Sequence, residues 1–135
     1  MTVLVWDEKC PPEIRAAVEP LIERWRHIIP TWCHSLWIAY NADTDNCMEC
    51  EAHPEYRWAK IHVGGSWLRQ PGHERESAVV HELVHIPLKV LTDWTKDLVF
   101  RLSGDDERLR DWLLSEWQER LEGVTCDLER TMQSA

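Results

Sequence analysis

The stretch Ser77-Ala78-Val79-Val80-His81-Glu82-Leu83-Val84-His85-Ile86 decides how this chain is read. On a helix, residues four apart lie one above the other on the same face. His81 and His85 can therefore aim two imidazoles at one metal ion, and Glu82, one step round, can reach a water bound to that ion. Ala78, Val79, Leu83, Val84 and Ile86 make the helix strongly apolar, so it belongs against a core. Ionisable side chains in such a helix are costly unless something pairs them, and a bound cation would do so. The bland alternative is two core histidines with a surface glutamate between them.

Around this stretch, 135 residues suffice for one domain with a real core but not for two. A hydrophobic content of 44% with 29% charged residues is that of an ordinary soluble globule. The net charge of −9 argues against a basic nucleic-acid-binding surface. No segment approaches the length of a membrane span, and no basic-then-apolar secretion signal stands at the N-terminus, so a cytoplasmic location is expected. Five scattered cysteines (Cys10, Cys33, Cys47, Cys50 and Cys126) then read as reduced thiols. Cys47 and Cys50 have C-x-x-C spacing, with His53 behind and Cys33-His34 upstream, which could build a second zinc site. The segment reads as a strand, however, and positions three apart on a strand face opposite sides.

Upstream, Thr2–Trp6 is a short apolar run, a first strand or a tail packed on the core. Pro11-Pro12 and Glu13 suit a helix start, and Ile14, Ala17, Val18, Leu21, Ile22 and Trp25 recur at helical spacing. Pro20 should kink or split that helix. Trp32–Tyr40, Cys47–Ala52 and Tyr56–Val63 read as strands separated by turn residues, giving a small, mainly antiparallel sheet. Gly64-Gly65 closes the last strand, and Pro71-Gly72 introduces the helix that carries His81.

Downstream, Pro87 cannot donate to the carbonyl of Leu83, so the helix is expected to bend or end there. Leu88, Leu91, Trp94, Leu98 and Leu102 then suggest a further helix packing behind. Ser103-Gly104-Asp105-Asp106 is a break with an aspartate cap, and a last helix runs from about Glu107 to Thr131. The fold class is α+β.

Two histidines do not complete a catalytic zinc site, which usually has three protein ligands and an open fourth position. No histidine follows His85, which removes the metzincin arrangement and calls for a carboxylate from the last helix. Glu116, Glu119 and Glu122 are the candidates, with Asp127 and Glu129 behind them. Helical geometry leaves the choice open, with Glu116 nearest the apolar stripe.

The H-E-x-x-H pattern is the signature of zinc metalloproteases. The run His81–Leu91 resembles small H-E-x-x-H proteins of bacteria and their phages, minimal relatives of the gluzincins. In those proteins a strand of the form Pro-Glu-Tyr-Arg-x-Ala-x-Ile precedes the metal helix, matched here by Pro54-Glu55-Tyr56-Arg57-Trp58-Ala59-Lys60-Ile61. Their C-terminal helix carries a glutamate with a valine two residues on and a leucine six on, matched by Glu122, Val124 and Leu128. The resemblance covers roughly residues 54–130 and is specific at the motif and loose elsewhere. It implies a zincin-like domain with one Zn2+ on His81, His85 and Glu122, and Glu82 as general base. Gluzincins often carry an aspartate four residues beyond the ligand glutamate; Cys126 occupies that position here.

A peptidase also needs a donor for the developing oxyanion, for which His62, Tyr56, His73 and Tyr40 are available. The strand Tyr56–Val63, if at a sheet edge, could take a peptide or protein substrate by strand addition. So short a chain has no second domain to wall a cleft, so substrate docking by a partner protein is one expectation. The other is a non-catalytic, zinc-stabilised interaction module using an acidic, tryptophan-rich surface.

Overall fold

A computed structural model describes residues 1–134. The chain is α+β, with a four-stranded mixed sheet and three helices. Strand β1 (Val3–Trp6) leads through helix α1 (Pro12–Trp25) to β2 (Ser35–Asn41). Strands β3 (Met48–His53) and β4 (Trp58–Gly64) follow, then the long helix α2 (Gly72–Ser103) and helix α3 (Glu107–Ser134).

The strand order is β1-β2-β4-β3. Both β1 with β2 and β2 with β4 are parallel, and only β3 with β4 is antiparallel. The expectation of a mainly antiparallel sheet is therefore corrected. β4 does not follow its hairpin outward; it inserts between β2 and β3. Its inward residues Ala59, Ile61 and Val63 are fully buried, as an interior strand requires, whereas β3 carries Glu49 and Glu51, which suit an edge. The free edge next to the helices thus belongs to β3, not to the strand around Tyr56–Val63. That strand also begins later than expected. Pro54–Tyr56 forms a single 3-10 turn, and Arg57 has a left-handed φ of 62°.

Every second residue of the sheet faces α1 and α2. Leu36, Ile38, Ile61 and Val63 meet Ile14, Val18 and Ile22 of α1 and Val79, Val80, Leu83, Val84 and Ile86 of α2 in one core. Each fully buried aliphatic side chain there contributes about 1.5–3 kcal/mol. At the exit of β4, Gly64 is required: a Cβ would overlap the backbone carbonyl of Asn46, which the preceding loop lays against it.

Neither internal proline divides its helix. α1 runs through Pro20, and α2 runs through Pro87 for 32 residues, about 48 Å. The separate helix expected beyond Pro87 is the second half of α2. Pro87 is exposed and removes one hydrogen bond to Leu83, a local loss outweighed by apolar contacts on both sides. The turn at Ser103–Asp106 reverses the chain, with Gly104 at φ 54° and the N–H of Leu109 donating to Asp106 Oδ1 at 3.0 Å. Among the described residues, no helix is long and apolar enough to cross a membrane.

Candidate metal centre

α2 and α3 form a hairpin folded about Gly104, so residues at similar distances on either side of the turn meet. His85 stands nineteen positions before Gly104 and Glu122 eighteen after it; His81 stands twenty-three before and Glu129 twenty-five after. The core holds one side of α2 through Val80, Leu83 and Val84, leaving His81 and His85 turned towards α3 and the edge strand β3.

His81, His85 and Glu122 come together with ligand atoms all within 4.8 Å of one another. The two Nε2 atoms are 3.2 Å apart. Ligands about 2.0 Å from a tetrahedral zinc lie about 3.3 Å from each other, so this spacing fits two corners of such a site. The Glu122 carboxylate straddles the pair, with Oε2 at 3.3 Å from His81 Nε2 and Oε1 at 3.4 Å from His85 Nε2. Behind them, Glu129 Oε2 lies 3.1 Å from His81 Nδ1. That carboxylate accepts the Nδ1 proton and so leaves the His81 Nε2 lone pair facing the centre.

The electrostatics also favour a cation. Burial pushes the Glu82 carboxyl up to about 8, with the nearby Glu122 and Glu49 carboxylates adding to the effect. His85 is pushed down by burial and by His81, which favours the neutral imidazole that ligates metals. A divalent ion at the two Nε2 atoms would offset this crowding of carboxylates.

Glu82, His81, His85 and Glu122 line one open cleft of about 680 Å3. Its other wall is β3 from Met48 to His53, and its far end holds Lys89, Thr92 and Gln118. Lys89 is the one lysine or arginine of the lining among the described residues, its Nζ 2.9 Å from Asp93 Oδ1.

Of the other carboxylates considered, Glu116 pairs with Arg120, Glu119 is exposed, and Asp127 is exposed beside Arg130. None of the four proposed oxyanion donors lines the cleft. His62 is on the far face of the sheet with Glu51, Tyr56 sits exposed on its turn, His73 is exposed beside Glu74, and Tyr40 packs on the core. Cys47 and Cys50 gather no metal-binding cluster with His53, Cys33 or His34 among the described residues. Burial pushes the Cys33 thiol up to about 11 and raises Cys50 further. All five cysteines are free. Cys126 does approach the site, forming a second possible cluster with His81 and Glu129.

Two features of the site were not read from sequence. Helical spacing gives Glu129 no special place among the carboxylates of α3, and its position behind His81 follows only from the hairpin. Lys89 does carry a local signal, since it lies four residues beyond His85 and so on the same helix face. No protein-family model, curated protein or solved structure matches this chain.

Proposed function

We propose that this protein is a small zinc-dependent metallopeptidase, a minimal zincin-like domain of the gluzincin kind. The observation that carries the reading is the convergence of His81 Nε2, His85 Nε2 and the Glu122 carboxylate in the cleft that also holds Glu82. These two imidazoles and one carboxylate are a ligand set used by hydrolytic zinc. Zinc bound there lowers the pKa of a water towards neutrality and polarises a carbonyl.

The remaining chemistry is assigned to the chain. Glu82 takes the proton from the attacking water and passes it to the leaving amine. Glu122, its side chain 44% exposed, leaves the centre open on the cleft side. Glu129 holds His81 in the required tautomer. An extended peptide adds to the free edge of β3 through backbone hydrogen bonds. Lys89, at the end of the cleft, is the group best placed to meet negative charge on the substrate.

Metal analysis of the purified chain beside His85→Ala, Glu122→Ala and Glu82→Gln tests the ligands and the base separately. About one zinc per chain is expected in wild type and Glu82→Gln, with loss in the other two variants. Cleavage of an unstructured peptide is expected from wild type and not from Glu82→Gln. Wild type that takes up no zinc when it is supplied would overturn the reading. The second reading, a non-catalytic zinc-stabilised interaction module, is favoured by the exposed apolar residues of α2 beyond the site. It predicts zinc binding without cleavage by either wild type or Glu82→Gln.

A further inference from the structure

The apolar stripe of α2 continues past the end of the sheet. Val79, Val80, Leu83, Val84 and Ile86 are buried on the core, and at 100° per residue the same side of the helix continues through Val90, Leu91, Trp94, Leu98 and Leu102. In this second half those residues are 52%, 48%, 62%, 38% and 71% exposed. The residues buried there instead, Thr92, Val99 and Ser103, lie on another side of the helix. α3 therefore does not cover the stripe.

We propose that this stripe is the contact surface for a second copy of the chain. With ordinary side-chain areas, the exposed fractions leave about 500 Å2 of apolar surface on one copy. A symmetric pair would then bury on the order of 1,000 Å2, the lower bound for a specific interface. The pattern is self-complementary. Val90, Trp94, Leu98 and Leu102 repeat every four residues, so an antiparallel copy sets Trp94 against the second copy's Leu98 and Val90 against its Leu102. Such a contact is the same patch on both chains, as a two-fold dimer requires, and the four-residue ridges interdigitate. Chains of net charge −9 repel at long range, but Asp97 and Arg101 at the border of the stripe have opposite signs, so this surface is locally neutral.

Light scattering during gel filtration of the whole chain, over a range of concentrations, tests the proposal. Wild type is expected to approach twice the 16.0 kDa chain mass, and Trp94→Glu to stay at 16.0 kDa with an unchanged circular dichroism spectrum. Leu102→Lys, at the most exposed position of the stripe, tests the same surface should Trp94→Glu not fold. Wild type that remains at 16.0 kDa at the highest concentrations overturns the proposal and leaves the stripe to a different kind of partner. A dimer that survives both substitutions overturns it as well.

Discussion

Up to Ile86, helix α2 lies on the sheet with Val80, Leu83 and Ile86 fully buried; past Pro87 the same face reaches Trp94 and Leu102, which are 62% and 71% exposed. Composition does not separate the halves, since both carry aliphatic residues at helical spacing. What differs is the neighbour. The first half packs into the core with the sheet and α1, whereas the residues buried in the second half, Thr92, Val99 and Ser103, lie on another side of the helix. Hydrophobic periodicity reports which face of a helix seeks cover, and the rest of the fold decides whether its own chain supplies it.

The largest expected effect is in the core. Leu83→Ala should cost about 2–5 kcal/mol in urea unfolding, whereas Leu98→Ala in dilute protein should stay within about 0.5 kcal/mol. Equal losses would erase the distinction between the halves. Next comes the tie from α3 to the first half. Glu129→Ala should weaken zinc binding about 10–100-fold in a metal titration, because His81 loses the acceptor that holds its tautomer. Unchanged affinity would reduce Glu129 to an ordinary charge on α3.

Smaller effects distinguish the ion pairs of the two halves. Glu76, near the start of α2, accepts from Trp25 Nε1 and from Arg24 Nη1 at the end of α1, each at 2.8 Å. The Trp25 and Arg24 hydrogen bonds hold its carboxyl below the usual value. With the folded-state value lowered, the stabilisation is present above the unfolded carboxylate range and is lost as pH falls through the folded value. Glu76→Ala should therefore cost about 1 kcal/mol at neutral pH and progressively less in acid, seen by comparing urea midpoints at the two conditions. In the second half, Lys89 and Asp93 form a pair within one helix. Asp93→Ala should cost only about 0.3–0.5 kcal/mol and less in high salt, the smallest effect of the series. A larger loss would mean that this half is braced by more than α3.

Much of this architecture was legible in the residues. The strands near Val3–Trp6, Ser35–Asn41 and Met48–His53 and the start of α3 at Glu107 follow local patterning and turn chemistry. The pairing of the strands does not, because the interior place of β4 depends on non-local contacts with β2. Pro87 misled for a related reason: a proline removes one hydrogen bond whatever the context, and only the surrounding contacts determine whether the helix survives. Once α2 is continuous, its distance to Gly104 sets Glu122 opposite His85 and Glu129 beside His81. Without that continuity, helical spacing leaves the choice among Glu116, Glu119 and Glu122 open, with Glu116 nearest the apolar stripe.

By itself, then, the sequence determined the placement of His81, Glu82 and His85 on one turn-and-neighbour pattern, because a four-residue separation on a helix is local geometry. It also determined the apolar stripe of α2 and the reversal at Ser103–Asp106. Only the tertiary structure decided which carboxylate meets those imidazoles, that β3 rather than β4 walls the cleft, and that half of the stripe is left uncovered. Each of these depends on segments far apart in the chain lying side by side, and residue spacing within a segment carries no record of that.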